Sequence, residues 1–352
     1  FSTESSSGTI IIRTLNAGDD GVSGELMFST GITTCGGSGS ISIGTGSACN
    51  GDGGDIMIKV GDGDTLDGGH VFLFAGKTVA TADSTGGSIS IRSGYSLLRS
   101  SGTINIRTLN AGTNGVSGEL MFSTGTTSCG GSGSISIGTG TASRGDGGDI
   151  TIKVGDGNTL DGGHISVFAG KSDADGTTGA TGGSISIRSG FSTESSSGTI
   201  IIRTLNAGTK GVSGELMFST GTTTCGGSGS ISIGTGTACN GDGGDIMIKV
   251  GDGNTLDGGH VFLFAGKTVA TEHSTGGSIS IRSGYSLLRS SGTINIRTLN
   301  AGTNGVSGEL MFSTGTTSCG GSGSISIGTG TASRGDGGDI TIKVGDGNTL
   351  DG

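Results

Sequence analysis

Gly39-Ser40-Ile41-Ser42-Ile43-Gly44-Thr45-Gly46-Ser47-Ala48-Cys49-Asn50-Gly51-Asp52-Gly53-Gly54-Asp55-Ile56-Met57-Ile58-Lys59-Val60 contains two short apolar runs, fifteen residues apart, separated by a tract rich in small and turn-forming residues. Each run is opened by Gly and one polar residue. The apolar residues Ile41/Ile43 and Ile56/Ile58 stand two apart, where a helix would place them three and four apart. The period is that of a strand with one apolar face. Outward from this stretch the pattern repeats along the chain: the first apolar residues fall at Ile10, Leu26, Ile41, Ile56, Val71, Ile89 and Ile104, and twenty-two such runs occur between Ile10 and Ile340.

The runs are nested in longer repeats. Residues 1–162 and 191–352 agree at all but seven positions (19, 20, 32, 47, 64, 82 and 83), a 190-residue repeat. Within it Phe1, Tyr95, Phe191 and Tyr285 open half-repeats spaced 94, 96 and 94 residues apart, and the two additional residues fall in 171–182. The repeats are therefore 1–94, 95–190, 191–284 and the truncated 285–352. A strand of about five residues cannot stand alone, and a near-constant pitch lets each repeat make one coil that stacks on the next. The sequence accordingly predicts an all-β fold, a parallel β-solenoid of about 15 residues per coil with six coils per half-repeat, continuous over 1–352. A β-sandwich is the competing fold, but it needs hairpins and non-repeating faces, and a near-identical 190-residue repeat serves neither.

Composition narrows the function. Of 352 residues 81 are Gly, none is Pro or Trp, and 14% are charged, which suits a repeat protein better than a mixed globular domain. A net charge of −10, with the 19 Lys and Arg dispersed, lacks the basic footprint of a nucleic-acid binder. No run of 18 apolar residues offers a membrane span. The chain opens on Phe1 without a signal sequence and carries no atypical capping coil, so it is expected to be a processed or partial chain that continues or joins its neighbours end to end. No N-x-S/T sequon occurs, which leaves O-glycosylation as the open route to sugar.

Six cysteines follow the repeat unevenly. Cys35 and Cys49 are 14 residues apart, nearly one coil, as are Cys225 and Cys239; this spacing predicts disulfides 35–49 and 225–239, the alternative being small buried thiols. Cys129 and Cys319 have no such mate, and twelve coils, about 58 Å at the inter-strand spacing, would separate them, so each is free or bonded to another chain. No C-x-x-C pair points to zinc. His70, His164 and His260 recur once per half-repeat, roughly 29 Å apart on such a rod, too far to share a metal or substrate, and read as surface residues. No nucleophile has an accompanying acid and base, and a repetitive rod offers no single cleft, so no enzymatic activity is expected.

The outward positions carry more information. In the first half-repeat Ile11, Met27, Met57, Phe72 and Phe74 form an apolar stripe; in the second, Asn105, Thr151 and Ser166 interrupt it, while Met121 and Phe168 persist. Such a stripe marks a contact surface, here for lateral self-association, unless the chain's own loops cover it.

The stretch Gly61-Asp62-Gly63-Asp64-Thr65-Leu66-Asp67-Gly68-Gly69, which recurs at 155–163, 251–259 and 345–352, resembles the calcium-binding nonapeptide of RTX proteins. The resemblance makes Asp62, Asp64 and Asp67 candidate Ca²⁺ ligands, the alternative being Asp and Asn as turn formers. The signature Gly-Gly-Ser-Ile-Ser-Ile-Arg-Ser-Gly at 86–94, 182–190 and 276–284 is similar in style to the Gly/Ser/Thr-rich solenoid repeats of algal and microbial surface and matrix proteins. That likeness implies an extracellular or cell-surface filament or adhesive fibre, and near-identical repeats, which keep geometry constant along a fibre, favour a structural subunit of one. The competing class is an adhesin-type or ligand-binding stalk for calcium, surface glycans or ice. Thr9, Glu25, Ser40, Asp55, His70 and Ser88 form no Thr-x-Thr ladder, which argues against ice.

Overall fold

The computed structural model describes residues 7–79, 84–173, 179–270 and 274–346. Among them there is neither helix nor β-strand; the backbone consists of irregular runs joined by bends and turns. The all-β parallel solenoid expected from the sequence is therefore corrected. The chain divides into two units, Phe1–Phe168 and Ala169–Gly352.

In the first unit the loops close on themselves. The Gly69 amide donates to the Gly61 carbonyl at 3.1 Å, Gly87 to Gly76 at 2.7 Å, Gly102 to Gly94 at 2.8 Å and Gly163 to Gly155 at 3.1 Å. Thr45 Oγ1 closes the loop between by donating to the Gly54 carbonyl at 2.9 Å, and Thr139 Oγ1 does the same to Gly148. The second unit repeats the arrangement, with Gly183 donating to Gly170, Gly198 to Gly190, Gly259 to Gly251, Gly277 to Gly266 and Gly292 to Gly284, and Thr235 Oγ1 to the Gly244 carbonyl. Between one closure and the next lies a run of near-constant length, such as Gly69–Ala75 or Gly87–Ser93. The longer spacings of the sequence are absorbed by the loops: closure spans eight residues at 61–69, eleven at 76–87 and thirteen at 170–183.

These closures explain why the coils do not stack. A solenoid of this pitch needs each run's amides to bond the run about 15 residues away, whereas among the described residues the backbone bonds reach back 3 to 13 residues. Shorter loops cost less closure entropy, and Thr hydroxyls compete for the same carbonyls. Glycine, nearly a quarter of the chain, loses more freedom on ordering than any other residue and adds no side chain to a core. Two inward apolar residues per run are too few to offset that.

No described residue is buried, and none of the apolar ladders closes into a core. The accessible surface is 36042 Å². A compact chain of this mass would show about 13,000 Å² and an unfolded one about 49,000 Å².

Candidate functional site

The sequence alternation survives inside the runs. In Gly69–Ala75 the rings of Phe72 and Phe74 lie 5.9 Å apart and nearly parallel, at 12°, and His70 lies 5.8 Å from Phe72 at 46°. Residues two apart on one side are what an extended backbone gives. Val71 and Leu73 occupy the alternate positions. The same ladder recurs in the second unit, with His260 and Phe262 at 5.8 Å and Phe262 and Phe264 at 5.9 Å and 13°. Phe72 and Phe74 are 72% and 84% exposed, so the ladders project into solvent.

The other members of the expected stripe are also exposed: Ile11, Met27 and Met57 each project from a separate run. Of the stripe, the structure brings Phe72 and Phe74 together. It also adds His70, which the sequence reading had set aside as an ordinary surface residue. The signal was present in the period-two pattern His70-x-Phe72-x-Phe74, where an imidazole continues a row of rings. In the even half-repeat the same positions hold His164, Ser166 and Phe168, so a hydroxymethyl group interrupts the row.

The calcium-like loop is tightly wound. A Cβ at Gly63 would overlap the carbonyl oxygens of Leu66 and Asp67, and Gly157 and Gly253 meet the same obstruction in their own loops. Glycine is thus required there by close approach of backbone to backbone. Asp62, Asp64 and Asp67 lie on the exposed surface of this loop. Among the described residues no three His, Cys, Asp or Glu side chains converge to hold a metal ion. Most of the recurrence at 345–352 lies outside the described residues.

All six cysteines are free, exposed thiols. Cys35 sits in the bend 34–36 and Cys49 in the bend 49–51, two successive loops, and Cys225 and Cys239 occupy the equivalent bends of the second unit. Cys129 and Cys319 lie in the bends 128–130 and 318–320. The glycine that follows Cys35, Cys129, Cys225 and Cys319 has a positive φ in every case, 126° at Gly36 and 118° at Gly130. Thr33 Oγ1 donates to the Gly36 carbonyl at 3.2 Å and holds this turn.

An open hollow of about 480 Å³ lies along Arg107, Thr108, Leu109 and Asn110. Its lining is four consecutive residues, a curve of the chain that gathers no distant acid, base or nucleophile. Among the described residues no helix is long and apolar enough to cross a membrane. The chain matches no protein-family model, no curated protein and no solved structure.

Proposed function

We propose that this chain is a non-catalytic structural subunit of an extracellular or cell-surface filament, held together by lateral and end-to-end contacts between copies. One observation carries the reading: among the described residues no apolar side chain is buried, and most of those in the runs are exposed to solvent. Exposed apolar surface on this scale is rare in soluble monomers and favours association with another surface. A copy of the same chain fits best, because near-verbatim repeats present the same apolar rows at the same sequence intervals. The acidic charge, dispersed along the chain, keeps single chains soluble and limits indiscriminate collapse. The absence of enzymatic activity belongs to the same reading, since His70, His164 and His260 recur about one half-repeat apart and, among the described residues, no three His, Cys, Asp or Glu side chains converge.

Sedimentation velocity over a hundredfold range of concentration tests the proposal. Assemblies that grow with concentration and dissociate on dilution are expected. A monomer at every concentration would remove the structural reading.

A further inference from the structure

The two aromatic ladders differ from the rest of the exposed apolar surface. His70, Phe72 and Phe74 are already in ring contact, as are His260, Phe262 and Phe264, so the rows are arranged before any partner arrives. The extended run sets these rings on one side of the chain, so a partner meets them as a row. No Lys, Arg, Asp or Glu lies between Asp67 and Lys77, or between Asp257 and Lys267, so the complementary surface is apolar and uncharged.

We infer that the ladders at His70/Phe72/Phe74 and His260/Phe262/Phe264 are paired docking sites for the same ladders of a second copy of this chain. The inference rests on the self-associating reading above and states which residues carry it. Two arguments select a second copy over another apolar partner. The ladders are identical in sequence and nearly identical in geometry, with 5.9 Å between the rings in both, and they stand 190 residues apart. A second copy carries the same two rows at the same sequence separation, so each row of one copy has an identical row to meet. Parallel rings also suit one another, since offset stacking and edge-to-face contacts between aromatic rows operate at centroid distances of roughly 4.5–7 Å.

The area supplies the second argument. With roughly 150–250 Å² per Phe, mostly exposed, one ladder offers on the order of 300 Å². One ladder against its copy buries at most roughly 600 Å² in total, short of the about 1,200 Å² at which specific interfaces become stable. Both ladders together reach that value. Association is thus bivalent: a single ladder gives fleeting contact, and the pair gives a lasting one through the raised effective concentration of the second site. The even half-repeat, with Ser166 between His164 and Phe168, has a broken row and does not contribute.

The test is sedimentation velocity of the full chain in four forms beside the unaltered one: Phe72→Ser/Phe74→Ser, Phe262→Ser/Phe264→Ser, all four changes together, and Ser166→Phe. Loss of either ladder should shift the association midpoint to roughly a hundredfold higher concentration or more, the scale expected when bivalence is lost. The fourfold variant should sediment as a monomer. Ser166→Phe completes a third row with His164 and Phe168 and should lower the midpoint, a gain that impaired folding cannot mimic. If the unaltered chain assembles and the fourfold variant assembles equally well, the ladders are not the contact, although the structural reading stands. If each single-ladder variant matches the unaltered chain while the fourfold variant is monomeric, bivalence is overturned. An unchanged midpoint for Ser166→Phe also overturns the inference, and an unaltered chain that never assembles removes the structural reading with it.

Discussion

Heating the dilute, unassembled chain provides a direct thermodynamic measure of its missing core. The perturbation is a calorimetric scan at a concentration where sedimentation finds monomers only. A compact chain of this mass would expose about 36,000 Å² on unfolding, the difference between about 49,000 and 13,000 Å². From the 36042 Å² already accessible here, only about 13,000 Å² remains to be exposed, near a third of that amount. Unfolding heat capacity follows exposed surface, at about 12–15 cal/mol/K per residue for compact domains. For 352 residues that gives about 4–5 kcal/mol/K, and a third of it is about 1.5–2 kcal/mol/K. The monomer should therefore show a small, gradual rise without a cooperative peak, because loops closed by single hydrogen bonds open independently. A sharp endotherm with equal calorimetric and van't Hoff enthalpies, and an increment of about 4–5 kcal/mol/K, would refute this account.

Three further outcomes are expected. Far-ultraviolet circular dichroism of the monomer should lack both helical and β-sheet bands, and a strong sheet band in unassembled material would contradict the absence of strands. With the protein reduced, iodoacetamide should modify all six thiols as fast in buffer as in urea, since each is exposed; slow modification of any one in buffer would show a buried site. Gly63→Ala should force its loop open at a cost of about 0.5–3 kcal/mol, because the new Cβ meets the Leu66 and Asp67 carbonyls. Hydrogen exchange at the Gly69 amide, which donates to Gly61, should then accelerate, and unchanged exchange would show that the loop has another way to close.

The phase of the chain was legible in its sequence. Gly before each run marked where a loop ends, and the structure places closing bonds at Gly69, Gly87 and Gly102, each directly before a run. Period-two alternation is also legible, and in the structure the rings of Phe72 and Phe74, two residues apart, lie side by side. What the sequence did not determine was the hydrogen-bond partner. A run such as Gly87–Ser93 has the same alternation whether its amides face the next coil, another chain or solvent, and the choice depends on loop closure against core burial. The regular 15-residue spacing seemed to require stacking, yet it arises equally from a constant run and a self-closing loop. For the site, Asp62, Asp64 and Asp67 were chosen by motif, but Gly63 proves to be the residue that shapes their loop. His70 was passed over because a lone imidazole carries little signal until its neighbours two residues away are counted.

The loop closures also set how the chain yields to tension. Gly61–Gly69, Gly76–Gly87 and Gly170–Gly183 are each bridged by a backbone hydrogen bond that short-circuits the residues between. Such a bond contributes about 0.5–1.5 kcal/mol net, so modest force breaks it while the peptide backbone stays intact. At about 3.3–3.6 Å per extended residue, an eight-residue loop reaches about 26–29 Å and a thirteen-residue loop about 43–47 Å, and opening releases that reach less the short span already bridged by the closed ends. In the filament proposed above, loops in series would let a stretched chain lengthen in steps, dissipate work at each one and recover the slack when the load is removed. A polymer built this way is tough because its weakest links are numerous, local and able to re-form.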